Sequence, residues 1–165
     1  MSLRILTYKR THIGDPDSTG QFGINDCMGR VRNRRFDAVI GVGGTGPEPR
    51  SEGIAGKLTW VGIGPRRVAG PWRGDIVSFE HFMLFDTDGP DFRRVAPNLA
   101  RRLFDGRVRV LIDDYTHTEF REALGILQLA RKLCGATSKA RASKRIRSIC
   151  RERCVETPND CHGRG

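Results

Sequence analysis

Apolar and polar positions alternate along the first half of the chain with the two-residue period of strands that bury one face. Leu3–Tyr8 is one such run, and the Thr11–Gly20 segment that bounds it carries Gly14, Asp15, Pro16, Asp17 and Gly20, all turn formers. Ile24–Arg32 breaks the period. Ile24, Met28 and Val31 fall on one face of a short helix. Phe36–Val42 is a compact apolar strand, Gly43–Gly56 a loop rich in Gly and Pro, and Lys57–Ile63 another strand. Pro65–Gly74 reads as a basic loop holding Arg66, Arg67, Trp72 and Arg73, and Asp75–Phe85 as a further strand.

The later pattern is helical. Asp86–Asp91 is a turn, a helix is expected over Val95–Phe104, and Arg107–Ile112 is a strand. Thr116-His-Thr-Glu119 has the spacing of a capping box, in which hydroxyl and carboxylate each take up a backbone N–H that the first helical turn leaves unbonded. Phe120, Ala123, Leu124, Leu127 and Ala130 then form one apolar stripe. A second helix over Ser138–Arg153 has little to bury beyond Ile146, Ile149 and Cys150. Strands precede helices without strict alternation. The fold class is therefore α+β, a small mixed β-sheet with flanking helices and a basic helical C-terminal extension. The expected division is a compact domain over residues 1–135 and a basic tail over 136–165.

Charge changes the picture. The 165-residue chain carries a net charge of +10. Arg131–Arg153 holds nine Lys or Arg and one acid, Glu152. A one-sided basic segment is the footprint of a phosphate-binding surface, so Lys139, Arg141, Lys144, Arg145, Arg147, Arg151 and Arg153 are candidate phosphate ligands and nucleic acid is the expected partner. The tail lacks the aromatic or Leu face that would enter lipid, no run approaches the ~18 apolar residues of a membrane helix, and the first residues lack a cleavable leader pattern. A cytoplasmic location without membrane contact is expected.

Four motifs bear on chemistry. Gly41-Val-Gly43-Gly44-Thr-Gly46 matches a dinucleotide-binding turn, but Pro47 and Pro49 follow where a helix should start, and no helical stripe comes after. The reading is a glycine loop between antiparallel strands, or a loop whose bare backbone approaches a ligand. Cys150, Cys154, Cys161 and His162 are dense enough for a tetrahedral zinc site, with Cys134 as the alternative to His162 as fourth ligand; the other reading is free thiols in a solvated tail. Asp113-Asp114 ends a strand, where a metal-dependent nuclease would place carboxylates, and His81 would join them; paired Asp after a strand is also ordinary turn chemistry. Trp60 and Trp72 flank Arg66, Arg67 and Arg73. Trp60 suits the core, and Trp72, beside Pro71, suits stacking on a base.

Phe22-Gly-Ile-Asn-Asp-Cys27, Arg30-Val-Arg32, Phe36-Asp-Ala-Val-Ile-Gly41-Val-Gly and Lys57-Leu-Thr-Trp-Val-Gly-Ile-Gly64 together resemble the nucleotide-modification-associated domains, small proteins linked with modified DNA bases in phages and bacteria. The strand–loop–strand layout is also similar to barrels of the PUA and EVE type, which hold a base in an open pocket. The resemblance covers under a third of the chain, and Phe36-Asp37 stands where the family has Gly-Asp. It implies a PUA-like partial barrel whose nucleotide site is lined by Asn25, Asp26, Cys27, Arg30 and Arg32, with Gly41, Gly43 and Gly44 close by. Arg66, Arg67 and Trp72 complete the candidate set from the residues themselves.

The function expected is a nucleic-acid or modified-nucleotide binding module of a DNA-modification or phage-defence system. The alternative is a metal-dependent nuclease or base-modifying enzyme. Purified protein should carry about one zinc per chain by elemental analysis, and a content well under one would dismiss the cysteine site. Truncation from about Ser138 onward should lower the slope of log affinity against log salt by roughly four, at ~0.9 per phosphate contact on duplex DNA, if about five of the seven tail cations reach phosphate. Circular dichroism is the folding control.

Overall fold

The computed structural model describes residues 4–10, 20–25, 35–45, 52–69, 74–106, 110–112, 114–138 and 154–155. They hold seven strands: β1 (Ile5–Arg10), β2 (Phe22–Asn25), β3 (Ala38–Gly43), β4 (Leu58–Ala69), β5 (Gly74–Leu84), β6 (Val110–Ile112) and β7 (Cys154–Val155). The spatial order is β2-β5-β4-β3-β1-β6, with β7 also on β5. β1 and β3 run parallel, and every other pair is antiparallel. The described strands make an open mixed sheet with helices packed against it, an α+β fold.

Both faces of this sheet are buried, which is why β3, Ala-Val-Ile-Gly-Val-Gly, is apolar throughout rather than alternating. One face carries Ile5, Ala38, Ile40, Val42, Leu58, Val61 and Met83. Helices cover it: α1 (Phe92–Val95), α2 (Pro97–Ala100), a π-helical turn (Arg101–Asp105) and α3 (His117–Ser138). The other face buries Leu6, Tyr8, Phe36, Val39, Trp60, Val77, Phe79 and Phe82. Trp60, Phe79 and Phe82 form an aromatic trio with ring centroids 5.8 to 6.1 Å apart.

The capping box at the start of α3 forms as expected. Glu119 N–H donates to Thr116 Oγ1 (3.3 Å), and Thr116 N–H donates to Glu119 Oε2 (2.8 Å). Arg102 Nη1 also donates to Glu119 (2.9 Å), and its other arm reaches Asp114 Oδ2 (2.5 Å), which ties the π-helical turn to the entry of α3. One turn later the Glu122 carboxylate accepts from the backbone N–H groups of Asn98 and Leu99 (3.0 to 3.2 Å) and from Asn98 Nδ2 (2.6 Å), capping α2 from a neighbouring helix. At the far side Arg93 holds Asp105 at 2.8 Å, and that hydrogen bond keeps the Asp105 carboxyl below the usual carboxylate range. The buried stripe of α3 is Ala123, Ile126, Leu127 and Ala130, with Phe120 and Leu133 partly buried beside it.

Three expectations change, and a fourth falls outside the described residues. Ile24 and Asn25 belong to strand β2, not to a helix, because their backbones complete the ladder with Gly74 and Asp75. The helix expected over Val95–Phe104 is broken at Ala96, since Pro97 cannot donate into the preceding turn and instead starts a new helix. Pro65–Ala69 continues β4, so Arg66 and Arg67 sit on a strand rather than in a loop. Residues 139–153, where a second helix and most of the basic tail were expected, lie outside the described residues, while Cys154–Val155 pairs with Phe82–Met83. Truncation at Ser138 therefore removes that short strand along with the basic residues.

Gly41 and Gly43 owe their identity to close approach. A Cβ on Gly41 would lie 2.1 Å from Trp60 Nε1, and one on Gly43 would lie 1.8 Å from the carbonyl oxygen of Ile54. Gly23 in β2 has nothing within 4 Å of such a position. Gly41→Ala and Gly43→Ala should each destabilise by roughly 2–3 kcal/mol in urea unfolding, through displacement of the Trp60 ring or of backbone. Gly23→Ala should stay within about 0.5 kcal/mol. Equal effects at all three positions would contradict this packing account.

Candidate functional site

The longest hairpin of the sheet, β4–β5, is bent in its middle. Gly64 has φ +70°, a left-handed conformation that L side chains rarely adopt, and its N–H donates to the Asp37 carbonyl at 3.0 Å. At this point the side-chain alternation slips by one. Phe82 and Phe79, three residues apart, share one face, whereas in a regular strand they would point to opposite faces. Pro65 follows without an N–H to offer the ladder, which suits the bend.

The bend opens a cleft of about 420 Å³ lined by Phe36, Asp37, Ile63, Gly64, Pro65, Glu80 and Arg131. It lies at the amino ends of β1 and β3, because Ile5 pairs with Ala38, and Ala38 with Ile63. Two arginines from separate parts of the chain, Arg131 and Arg66, stand at it, with others on the strands around it. Arg131, exposed on α3, lines the cleft directly. Arg66 Nη2 pairs with Glu80 Oε1 at 3.4 Å. The Arg67 guanidinium lies over the Phe36 ring, 4.9 Å from its centroid. Arg4 brackets Asp37 from the backbone: its N–H donates to Asp37 Oδ2 (3.1 Å) and its carbonyl accepts from Asp37 N–H (2.8 Å). Arg35, next to Phe36, is exposed, as are Arg4, Arg66 and Arg67. The α3 helix ends at Ser138, about 10 Å beyond Arg131 along its axis.

The candidate residues from sequence are thus divided. Arg66 reaches the cleft through Glu80, whereas Arg67, on the opposite face of β4, packs over Phe36. Gly43 and Gly44 do not: β3 runs from Ala38 to Gly43, which puts them at the opposite end, about 17 Å away. Gly43 is tied to Gly56 and Lys57 by backbone hydrogen bonds, and Gly41 is covered by Trp60. Since β3 and β4 are antiparallel neighbours, the glycine motif opens no βαβ crossover. Asn25 ends β2. Asp26, Cys27, Arg30, Arg32 and Trp72 lie outside the described residues, as do Lys139, Arg141, Lys144, Arg145, Arg147, Arg151 and Arg153. Trp60 is in the core, with 1% of its surface exposed.

The other chemistry does not converge. Asp114 is held by Arg102 beside α3, whereas His81 is on β5, four strand spacings or about 19 Å across the sheet from β6. Asp113 lies outside the described residues. Cys154 belongs to β7, Cys134 to α3, and Cys150, Cys161 and His162 lie outside the described residues. Among the described residues no three His, Cys, Asp or Glu side chains come together as metal ligands. No helix there is long and apolar enough to cross a membrane.

Sequence reasoning missed Phe36, Asp37, Glu80 and Arg131 as neighbours. The one local sign was Gly64-Pro65, a turn-forming pair inside an otherwise strand-like run, which marks a bend as readily as a strand end. Comparison with protein-family models, curated proteins and solved structures finds no match for this chain.

Proposed function

We propose that this protein binds nucleic acid or a modified nucleotide through the cleft at the β4–β5 bend, with the basic tail adding affinity for phosphate. The observation that carries the reading is an open cleft lined by the exposed Arg131 of α3 and by Glu80, which holds Arg66 at 3.4 Å. The two arginines come from the middle of β4 and from the helix α3. Asp37 and Glu80 stand beside them and offset part of the repulsion between the like charges.

A guanidinium group presents several N–H donors in a fixed fork that fits phosphate oxygens, and it stays charged at any physiological pH. The similarity to nucleotide-modification-associated domains and to base-holding barrels favours the same ligand class, and a role beside DNA-modification or phage-defence enzymes in the cytoplasm follows from it. Zinc held by Cys150, Cys154, Cys161 and His162 would order the tail next to the domain. The nuclease alternative has the weaker support, since Asp114 is engaged with Arg102 far from His81.

The test is fluorescence anisotropy with a labelled oligonucleotide over a range of salt. Arg66→Ala with Arg131→Ala in the full chain should weaken binding at least about tenfold at low salt and reduce the salt slope by roughly 1.4–1.8, at ~0.7–0.9 per phosphate contact. An unchanged slope in a variant with native circular dichroism would remove the cleft from the binding surface.

A further inference from the structure

We infer that the cleft reads a guanine base: its two carboxylates accept the adjacent ring N1–H and 2-amino donors of that base, and Arg131 meets a phosphate. This deepens the binding reading above and rests on it. The first observation is the charge of the lining. The chain carries 29 Lys and Arg against 19 Asp and Glu, yet the cleft is lined by two carboxylates, Asp37 and Glu80, and one cation, Arg131. A surface that takes phosphate alone gains nothing from carboxylates, which repel it. An ionised carboxylate accepts hydrogen bonds and donates none, so the part of the ligand that enters must bring N–H or O–H groups.

The second observation is what these groups leave open. Asp37 Oδ2 accepts from Arg4 N–H at 3.1 Å, and Glu80 Oε1 faces Arg66 Nη2 at 3.4 Å. Among the described residues Asp37 Oδ1 and Glu80 Oε2 accept no hydrogen bond, and Arg131 pairs with no carboxylate. Glu80 leans over bare backbone, its Oε2 lying 2.7 Å from the place that a Cβ on Gly64 would take. β4 runs between β3 and β5, so Gly64 separates Asp37, just before β3, from Glu80 on β5. The two open acceptors thus stand on either side of a residue without a side chain, in a cleft whose other walls are the apolar Phe36, Ile63 and Pro65. That combination fits a flat body with N–H donors along one edge. Of the common bases, guanine alone carries two N–H donors side by side on its pairing edge; adenine and cytosine set one amino group beside an acceptor, and thymine sets one N–H between two carbonyls. At about 420 Å³ the cleft falls within the ~300–1,000 Å³ of small-ligand sites.

The experiment measures anisotropy of labelled oligothymidylate single strands with the full chain, one central base being guanine, hypoxanthine, xanthine or left as thymine. Hypoxanthine is guanine without the 2-amino group, and xanthine has a carbonyl oxygen in its place. The guanine strand should bind about tenfold more tightly than the other three, the discrimination typical of one well-paired base edge, with one salt slope for all four. Asp37→Asn keeps an oxygen for Arg4 N–H and puts an N–H donor where Oδ1 stands. It should lose the preference for guanine and favour xanthine. Each strand is compared with the others on the same protein, so the general gain in affinity from losing one negative charge cancels. Equal binding of the four strands by the parent, or an Asp37→Asn variant with native circular dichroism and the parent's preference, overturns the inference while leaving nucleic-acid binding in place. So does adenine or cytosine at the same position binding as tightly as guanine. The comparison on the parent decides even where Asp37→Asn fails to fold. No binding of any strand removes the nucleic-acid reading itself.

Discussion

The left-handed backbone at Gly64 fixes how the two faces of the sheet are filled. An added Cβ there would sit 2.7 Å from a carboxylate oxygen of Glu80, and the φ of +70° penalises any side chain in its own right. With glycine in place, the alternation slips and Phe79 joins Phe82 and Trp60 on one face, while Val61, Ile63 and Met83 keep the helix-covered face. Gly62 completes the arrangement: its bare backbone lies under the Phe79 ring, where a Cβ would be 2.5 Å away. The same hydrogen bond that fixes the bend, from Gly64 N–H to the Asp37 carbonyl, draws the entry to β3 against β4. Fold and cleft therefore share one constraint. Relaxing the bend would misplace the aromatic trio and pull Phe36 and Asp37 away from Arg67 and Glu80.

The helical layer answers a different requirement. Short helices leave unbonded N–H groups that must find acceptors. α2 has only four residues, too short for stability of its own, and it is held by the Glu122 carboxylate one turn into α3. Glu119 serves the start of α3 and receives Arg102 from the π-helical turn. Tyr115 adds a third tie: its hydroxyl lies against the Ile5 carbonyl, the Leu111 carbonyl at 2.9 Å and Thr7 Oγ1 at 3.0 Å, joining β1, β6 and the approach to α3. This anchoring holds α3 at a fixed angle over the sheet, and so determines where Arg131 emerges.

Much of this was legible from sequence where short-range chemistry decides. The capping box at Thr116 and Glu119, the stripe through Ala123, Leu127 and Ala130, the apolar strand after Phe36 and the core placement of Trp60 all depend on local pattern. The errors share a cause as well. Gly64-Pro65 is strong turn chemistry, and only the ladder with Phe79 and Ser78 reveals that the strand continues through it. Ile24 sits in a helical-looking spacing that pairing with Asp75 overrides. The cleft was illegible because Phe36, Glu80 and Arg131 are far apart along the chain and nothing local marks them. The sequence pointed instead to the glycines of β3, whose small size serves Trp60 and Ile54.

The acids of the domain explain how so basic a chain holds its arginines in place. Exposed ion pairs such as Arg66–Glu80 and Arg93–Asp105, each about half exposed, add little to stability because water screens them. Their effect is geometric: a long side chain with ~2 kcal/mol of rotamer entropy is confined before any ligand arrives. At the cleft Arg66 and Arg131 stand beside Asp37 and Glu80. A site made only of arginines would attract anions more strongly but would leave the guanidinium groups mutually repelled and mobile. The two carboxylates reduce that attraction, and Glu80 in return orients Arg66. That balance exchanges bulk attraction for fixed side-chain geometry.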